Sequence, residues 1–283
     1  MADVRGLDRS ALVSKVLIYI VMAIFTILAI YPILWLVIQS FKTTQDYLLN
    51  SKLGLPQQWF FQNYLQSWKR GNFSMLISNS LIYTSVTVVS IIVFGFMAGF
   101  AFAKIPNKAT PFLSGSFIIG ILLTLQSIMV PLFLMVNAVG LYNTRIGILI
   151  PYIGIGLPMG VYLSTEYIRS IPDALVESAR IDGAKYLKIF SAIIVPMAAP
   201  VAVTVAIMTV TGTWNEFMLV NILASSDKIK SIPVGIARFS GALASDYGKQ
   251  FAALVIGLIP MLVFYIIFRK QITKGVAAGA VKG

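Results

Sequence analysis

The sequence contains neither cysteine nor histidine in its 283 residues. Without cysteine there are no disulfides and no thiolate metal sites, and without histidine there are no imidazole ligands and no histidine-activated nucleophiles. Acidic residues are also few, ten Asp and Glu in all. No two of them share an apolar run, so the membrane interior lacks a carboxylate pair for acid–base catalysis. We therefore expect no catalysis and no metal site in this chain.

A nucleotide-binding motif is missing as well. The sequence has no Gly-x-x-x-x-Gly-Lys-Ser/Thr segment, the loop that cradles the phosphates in P-loop enzymes. The chain is therefore not expected to bind a cofactor or to hydrolyse ATP.

The net charge of +12 falls largely on residues that flank apolar runs, and no basic soluble domain accompanies it. We therefore expect no nucleic-acid binding.

Long apolar runs dominate what is present. Hydrophobic residues make up 58% of the chain and charged residues 11%, and the mean hydropathy of +0.86 is outside the range of soluble proteins. A helix of about 20 apolar residues crosses the roughly 30 Å hydrocarbon core. Six runs are long enough: 16–38, 76–103, 112–136, 146–165, about 200–223 and 251–268. The sequence predicts an all-α integral membrane protein with six transmembrane helices in a single domain, residues 1–283.

The predicted topology places both termini on one side of the membrane, because the number of spans is even. No small-x-small cleavage pattern follows the first run, so we expect it to remain as a membrane anchor rather than a removed signal. If the loop at about 170–196 lies on the same side as the termini, that side carries more Lys and Arg than the other. The positive-inside rule then makes this side cytoplasmic.

The loop at about 170–196 carries most of the charge between two long apolar runs. Ser170-Ile171-Pro172-Asp173 matches a capping box and predicts a helix that begins near Pro172. Spacings of three and four predict one shared face for Leu175, Ala179, Gly183, Leu187 and Phe190. A helix-interior glycine costs about 1 kcal/mol against alanine, so Gly183 favours two short helices with a turn. From the residues alone, an interfacial helix on lipid headgroups and a partner-docking surface remain equally open.

A second candidate site surrounds Glu216, the one ionisable residue within a predicted span. A charge facing lipid costs about 2.5–3.5 kcal/mol, so we expect it to face protein, water or the interface. It either bonds neighbouring backbone near the end of its span or lines a substrate pathway. The further pathway candidates are Gln126, Thr211, Trp214 and Asn215. Aromatic faces and uncharged amides suit the C–H faces and hydroxyls of a sugar.

Three smaller features leave alternatives open. Pro131, Pro151 and Pro158 lie inside predicted spans and predict kinks, which are either harmless or line a cavity. Gly95 and Gly99 stand four apart, which permits close helix approach in lipid, although ordinary bundle packing is the favoured interpretation. The connection 39–74 is rich in aromatic residues, which indicates a belt at headgroup depth, a docking platform for a binding protein, or both.

Several motifs together resemble the permease subunits of ABC importers. The order Glu177, Ala179, Asp182-Gly183-Ala184, Phe190, Ile193 and Pro196 is similar to the family's EAA loop, with Ser178 in place of the first alanine of the triplet. Further similar segments are Asn79-Ser80-Leu81, 98–103, 140–144, 214–217 and 277–283. They extend the resemblance over almost the whole chain, specifically to the second permease of the maltose-type carbohydrate importers.

The resemblance implies a fold and a site. The fold would be a type I ABC-importer permease core, spans two to six, plus one peripheral N-terminal helix. The loop at about 170–196 would be a coupling helix seated in a cleft of the ATPase subunit. The implied ATPase-coupling residues are Glu177, Ser178, Ala179, Asp182, Gly183, Ala184, Lys185 and Phe190. The segment 270–283 would be a cytoplasmic tail. Composition alone predicts that its end, 275–283, is frayed, whereas the resemblance implies that Gly279, Ala280, Val281 and Lys282 contact the ATPase.

The resemblance also implies a function and partners. The chain would be a permease subunit in the plasma membrane of a prokaryote that moves a sugar or oligosaccharide inward by alternating access. Its partners would be a second, different permease, two ATP-binding cassette subunits that bind ATP and Mg, an extracytoplasmic sugar-binding protein and membrane lipid. Two alternatives are an ion-coupled secondary carrier, which needs several intramembrane ionisable groups, and a non-transporting membrane scaffold.

Overall fold

The computed structural model describes the backbone of residues 9–239 and 246–280 and the side chains of 13–239 and 246–271. All regular structure in these ranges is helical. In chain order the helices are α1 Arg9–Gln39, α2 Thr44–Leu49, α3 Gln62–Gly71, α4 Phe73–Lys104, α5 Thr110–Leu122, α6 Leu125–Ala138, α7 Arg145–Arg169, α8 Asp173–Ile181, α9 Tyr186–Ile189, α10 Val195–Met197, α11 Ala199–Asn215, α12 Met218–Leu223, α13 Ile232–Ala237 and α14 Tyr247–Ala280. A π-helical turn, Phe190–Ile194, joins α9 to α10, and a 3₁₀ turn, Asp227–Ile229, lies between α12 and α13.

Within the described ranges, four helical segments are long and apolar enough to cross a membrane unbroken: Val13–Gln39, Phe73–Lys104, Arg145–Arg169 and Tyr247–Gln271. Two further helix pairs pass the same test together but are bent. The chain is therefore an all-helical membrane protein with four to six candidate spans, as the apolar runs predict. The first, second, fourth and sixth predicted runs lie within the four unbroken helices.

The predicted run 112–136 is not one straight span. It is divided between α5 and α6, whose axes differ by 105°. Leu123 and Thr124 are extended at the break, with ψ of 120° and 144°. The Ser127 hydroxyl donates to the Thr124 carbonyl over 2.8 Å, so polar groups satisfy the interrupted backbone. Average hydropathy does not register such a break, because only one polar residue separates the two apolar helices.

The predicted run 200–223 is interrupted as well. Helix α11 ends at Asn215, Glu216 and Phe217 follow, and α12 begins at Met218. At its other end α11 is preceded by the segment Tyr186–Met197, which is bent from it by 72°. Glu216 is therefore the C-terminal cap of α11, with ψ of 128°, and does not lie inside a helix as the run predicts.

The chain divides into two compact units. The first consists of residues 1–70 and 239–258. In this unit the most apolar stretch of α1 has none of its residues buried. Buried polar groups fasten the segment after α1: the Asn63 side-chain amide donates to the carbonyls of Ser40 and Lys42 over 2.8 Å each, and the Lys42 ammonium donates to the Ser51 carbonyl over 2.8 Å. Trp59, Phe61 and Trp68 of the same connection are exposed.

The second unit, residues 71–238 and 259–283, is built on close packing of α4 against α7. A Cβ added at Gly99 would lie 2.9 Å from Ser164 Cβ and 2.9 Å from the Thr165 nitrogen, and one added at Gly95 would lie 3.1 Å from the carbonyl carbon of Gly160. Backbones approach so closely only where side chains are absent or small. The close approach that the spacing of Gly95 and Gly99 permits is present between α4 and α7, although the sequence favours ordinary bundle packing.

A cavity of about 310 Å³ lies between α5, α6 and α7. Pro151 and Pro158 are in its wall, and Pro131 is not. The other residues of the wall are glycines and aliphatic or Met side chains. Because a sugar needs hydrogen-bonding groups around it, this cavity does not have the lining of a sugar site.

Candidate functional site: the α8–α9 loop and the α11–α12 break

The start of α8 differs from the predicted capping box. Pro172 is its N-terminal cap, and no side chain caps the helix. The Ser170 hydroxyl donates to the Tyr167 carbonyl over 2.7 Å, so this residue completes the end of α7. The Asp173 carboxylate accepts from the Lys104 ammonium over 2.6 Å. The capping-box prediction is wrong because tertiary and preceding-helix partners take up both side chains.

A glycine turn ends α8. Gly183 has φ of +78°, the left-handed conformation that glycine adopts without a Cβ penalty. The Ala184 nitrogen donates to the Ala179 carbonyl over 2.9 Å and the Gly183 nitrogen to the Arg180 carbonyl over 3.0 Å. These two bonds form a Schellman motif, which satisfies the last carbonyls of a helix. The prediction of two short helices joined by a turn at Gly183 is confirmed.

The α8–α9 loop presents an exposed surface of mixed chemistry. Ile181 and Leu187 are 86% and 76% exposed. A large aliphatic side chain held in water loses the benefit of burial, about 1.5–3 kcal/mol when complete, so such a pair beside charges marks an interaction surface. Arg180 stands over the Tyr186 ring, 5.5 Å from its centre, and this contact bridges α8 and α9 across the glycine turn.

The eight predicted coupling residues divide into two groups. One group is exposed: Glu177, Ser178, Asp182, Gly183 and Lys185. The other group, Ala179, Ala184 and Phe190, is partly buried and packs against the core beneath the loop. Phe190 contacts the Phe100 ring of α4, with centres 5.6 Å apart. The second group therefore holds the loop in place, and the first is the group available to a partner.

The predicted shared face of the loop is wrong. Leu175 and Leu187 are exposed, whereas Val176 and Ile189 are the buried residues. The prediction extended one helical period through Gly183, but α8 stops at Ile181. After the turn a new helix begins. Ala179 and Phe190 still pack against the same cluster, but Leu175 and Leu187 do not continue that face.

The predicted pathway residues also do not form one cluster. Gln126, Thr211 and Asn215 are exposed, and the Asn215 amide bonds the Thr211 carbonyl within α11 over 2.9 Å. Trp214 is 6% exposed and belongs to the protein interior. Gln126 comes close to α12 through a 4.0 Å contact between its amide nitrogen and the sulfur of Met218.

Glu216 holds the break between α11 and α12. Its carboxylate accepts from the Tyr152 hydroxyl over 2.8 Å and from the backbone nitrogens of Leu219 and Val220 over 2.7 and 3.4 Å. The carboxylate thus caps the first turn of α12 and joins this turn to α7. The free amides at the start of α12 gain an acceptor, and the carboxylate gains hydrogen-bond donors. The sequence left two alternatives for Glu216, a hydrogen bond to neighbouring backbone or a place in a substrate pathway. The structure shows the hydrogen bonds to neighbouring backbone.

Substitutions at this break are expected to lower the stability of the protein according to the hydrogen bonds that they remove. Tyr152→Phe removes one hydrogen bond and should lower the free energy of unfolding by about 0.6–1.7 kcal/mol, the range of such bonds in membranes. Glu216→Gln keeps an acceptor for α12, so the thermal midpoint should fall less than in Glu216→Ala, which keeps none. Thermal unfolding in detergent measures both. A midpoint for Glu216→Ala equal to that of the unsubstituted protein would contradict the capping role.

A set of polar residues at the N-terminal end of α7 was missed as a site by sequence reasoning. We call it the Asn79 clasp: Asn79, Ser80, Tyr83, Asn143 and Arg145 with the segment 226–232. The Asn79 amide donates to the carbonyls of Lys228 and Lys230, each over 2.9 Å, and its oxygen accepts from Arg145 over 2.9 Å. The Tyr83 hydroxyl donates to the Ile229 carbonyl over 2.6 Å.

Two further bonds complete the clasp. The Ser80 hydroxyl accepts from the Ile232 nitrogen over 2.9 Å, and the Asn143 side chain accepts from the Ser226 nitrogen over 2.8 Å. The signal in the sequence was the pair Asn79-Ser80 inside an apolar run, since buried polar side chains require partners.

Charge reinforces the segment that the clasp holds. Asp227 pairs with Arg238 and, over 3.3 Å, with Lys230. The hydrogen bond from Arg238 holds the pKa of Asp227 at about 2. The carboxylate therefore stays ionised through all but strongly acidic conditions.

Asn79→Ala is expected to loosen the clasped segment. It removes the hydrogen bonds that Asn79 makes with Arg145 and with two backbone carbonyls, and a typical intramolecular hydrogen bond contributes about 0.5–1.5 kcal/mol. We expect a lower thermal midpoint and faster amide hydrogen exchange in 226–232. The control is Ser78→Ala, at the exposed neighbouring position of α4, which should match the unsubstituted protein. Equal exchange in the two variants would show that the clasp does not hold the segment.

The predicted tail is helical further than expected. Helix α14 runs to Ala280, beyond the predicted span end at 268, and includes the backbone of Gly279 and Ala280. The side chain of Ala280, and all of Val281 and Lys282, lie outside the described residues.

Comparisons with known proteins agree with this architecture. The family described as "Binding-protein-dependent transport system inner membrane component" matches residues 4–275. The trehalose transport system permease protein SugB of Mycobacterium tuberculosis is 34% identical over 90% of this chain and 93% of its own length. The diacetylchitobiose uptake system permease protein NgcG of Streptomyces coelicolor is 30% identical over 96% of this chain and 89% of its own length.

A solved structure has the same fold. A chain of a bacterial ABC transporter involved in the import of the acidic polysaccharide alginate superposes with a TM-score of 0.82. The alignment covers 93% of this chain and 98% of that chain at 22% sequence identity. At that identity the likeness concerns the fold alone.

Proposed function

Since the chain belongs to the family of binding-protein-dependent transport system inner membrane components, we propose that it is one of two unlike permease subunits through which an ATP-driven importer moves a sugar or oligosaccharide into the cytoplasm. The predicted membership in the ABC-importer permeases is confirmed by this family match and by the curated relatives. The chain is a multi-pass inner-membrane permease subunit and is not itself an ATPase. It works in a complex with a binding protein and ABC transporter partners.

The observation that carries the proposal is the exposed α8–α9 loop. Exposed Ile181 and Leu187 stand beside Glu177 and Lys185 on a short helix pair, which is the composition of a protein interface with an apolar centre and a polar rim. Because the loop connects α7 to α11 along the chain, force applied to it reaches two candidate spans. We assign the loop to docking on an ATPase subunit, which supplies the ATP and Mg sites.

The cargo is proposed from the relatives and from the available polar groups. Two relatives carry trehalose and diacetylchitobiose in their names. Gln126, Thr211 and Asn215 are exposed on candidate spans and offer uncharged donors and acceptors to sugar hydroxyls. Trp214 and Glu216 support these residues from within the protein. Most of the contacts with the sugar are assigned to the other permease subunit, the partner of this chain.

The remaining partners follow from the exposed surfaces. The most apolar stretch of α1 is unburied along its length, so it is available to lipid and to the partner permease subunit. We propose that both termini and the α8–α9 loop are cytoplasmic, and that the end of α14 and the tail after it reach the ATPase pair.

Reconstitution tests the function. The chain is copurified with its neighbouring transporter subunits, placed in vesicles with ATP inside, and supplied with sugar-loaded binding protein outside. We expect ATP-dependent uptake and stimulation of ATP hydrolysis by the loaded binding protein. Uptake driven by a sodium or proton gradient without ATP would show a secondary carrier. Copurification without any uptake of the sugar that the binding protein holds would show a scaffold.

A further inference from the structure

A buried lysine joins α4 to the start of the α8–α9 loop. Lys104 is the last residue of α4, and its side chain is 2% exposed. Its ammonium donates to the Ile171 carbonyl over 2.5 Å and to the Asp173 carboxylate over 2.6 Å. These partners lie 67 and 69 positions away in sequence. A buried polar group requires hydrogen-bond partners, so the two contacts fix where the loop begins.

A ring contact joins the same helix to the far end of the loop. Phe100, one turn before Lys104, lies 5.6 Å from the Phe190 ring and 6.4 Å from the Tyr186 ring, centre to centre. Phe100 is buried in the cluster that also contains Val176 of α8 and Ile189 of α9. Helix α4 therefore contacts the loop at both ends, although it is not connected to the loop along the chain.

The constraint at the first contact depends on the lysine. Beside it lies a cavity of about 420 Å³, walled by the end of α4, the connection to α5 and α8. Asp173, Glu177 and Arg180 line the cavity on the α8 side. Because α8 borders open space there, the hydrogen bonds of Lys104 and the apolar packing of Val176 and Ala179 are what hold α8 to this end of α4.

We propose that Lys104 is a positioning residue that makes α4 move together with the α8–α9 loop, so that a displacement of the loop is passed to α4 as well as to α7 and α11. This inference rests on the proposed function, in which an ATPase displaces the loop. Close packing of Gly95 and Gly99 against α7 also holds α4 and α7 together, so the moving body contains three candidate spans, α4, α7 and α11. The tether determines how much ATP hydrolysis is converted into transport, without touching cargo or nucleotide.

The first test measures coupling in the reconstituted complex. Lys104→Met keeps the apolar stem and removes the donors. We expect the number of ATP molecules hydrolysed per sugar imported to rise about tenfold, within the range of coupling changes that mutations produce. Lys104→Arg restores donors and should return the ratio toward that of the unsubstituted protein. Asp173→Asn should have a small effect, because the Asp173 side chain is 76% exposed and the Ile171 carbonyl remains.

The matched control is Lys108→Met, at an exposed lysine of the connection that follows α4. It removes the same charge without removing a buried bond, and we expect an unchanged ratio. An unchanged ratio in Lys104→Met, with normal complex yield, would overturn the proposal. If the unsubstituted complex imports sugar with ATP while Lys104→Met behaves identically, the tether alone fails. If the unsubstituted complex shows no ATP-dependent uptake, the proposed function fails.

A distance measurement tests the shared motion even if Lys104→Met assembles poorly. The absence of cysteine allows spin labels to be placed at Lys108→Cys and Ala174→Cys in an otherwise unsubstituted chain. We expect the distance between the labels to differ by less than about 2 Å between nucleotide-free and ATP-bound complexes, since helix shifts of that size already mark relative motion. A larger shift would show that α8 moves past α4 and would overturn the proposal.

Discussion

Replacing Gly183 with aspartate is expected to abolish ATP-dependent uptake while the subunit remains folded in the membrane. Aspartate tolerates the left-handed conformation better than most residues, and no atom lies within 4 Å of a Cβ at this position. The added carboxylate therefore enters the space that the docked ATPase would occupy. An uncompensated buried charge costs about 3–5 kcal/mol, a loss of affinity of at least about a hundredfold.

The structure provides a matched control at the opposite end of α7. Gly140 has φ of +71°, no atom within 4 Å of a Cβ, and the same pair of turn bonds, from the Gly140 nitrogen to Asn137 and from the Leu141 nitrogen to Val136. Gly140→Asp imposes the same backbone demand on a different surface and should leave uptake intact. Gly183→Asn, nearly equal in size but uncharged, should retain part of the activity. Full uptake in Gly183→Asp would count against the docking role.

Replacing Gly99 with leucine is expected to prevent α4 and α7 from packing, with loss of nearly all folded protein. Even a methyl group would meet Ser164 and the Thr165 backbone at 2.9 Å, and backbone cannot rotate away as a side chain can. Gly99→Ala should lower the free energy of unfolding by about 1–3 kcal/mol, the usual cost of overpacking. Size-exclusion yield and the thermal midpoint in detergent measure the two effects.

Gly154 serves as the control for that comparison. It lies in α7 itself and has no atom within 4 Å of a Cβ. Gly154→Ala should be neutral or slightly stabilising, because alanine is favoured over glycine in a helix by up to about 1 kcal/mol. If Gly99→Ala and Gly154→Ala have the same midpoint, then α4 and α7 are not as close as the structure has them.

Local sequence signals predicted the parts of the site that depend on neighbouring residues. The turn at Gly183 follows from glycine in an otherwise amphipathic segment, and the spacing of Gly95 and Gly99 permits close approach of α4 to a neighbouring helix, although it does not identify α7 as that neighbour. Both features arise from the intrinsic conformational and steric properties of glycine. The apolar runs located the candidate spans for a similar reason, since helix length and lipid thickness are linked.

Contacts between distant segments were not predictable in the same way. In the sequence Lys104 is an ordinary basic residue at the end of an apolar run, because no neighbouring residue indicates that the Ile171 carbonyl is its partner. Asn79 contributed to the resemblance, but its role in the clasp depends on where the segment 226–232 returns. The helix breaks after Leu122 and Asn215 were missed because hydropathy averages over backbone breaks.

The central claim, that the α8–α9 loop is cytoplasmic and docks on an ATPase, is tested most directly by labelling Ile181→Cys. The position is 86% exposed, and the chain has no other cysteine. A membrane-impermeant maleimide should react in inverted vesicles but not in right-side-out vesicles, and assembly with the ATPase subunits should slow the reaction. Rapid labelling in right-side-out vesicles would place the loop on the outer face and contradict the account.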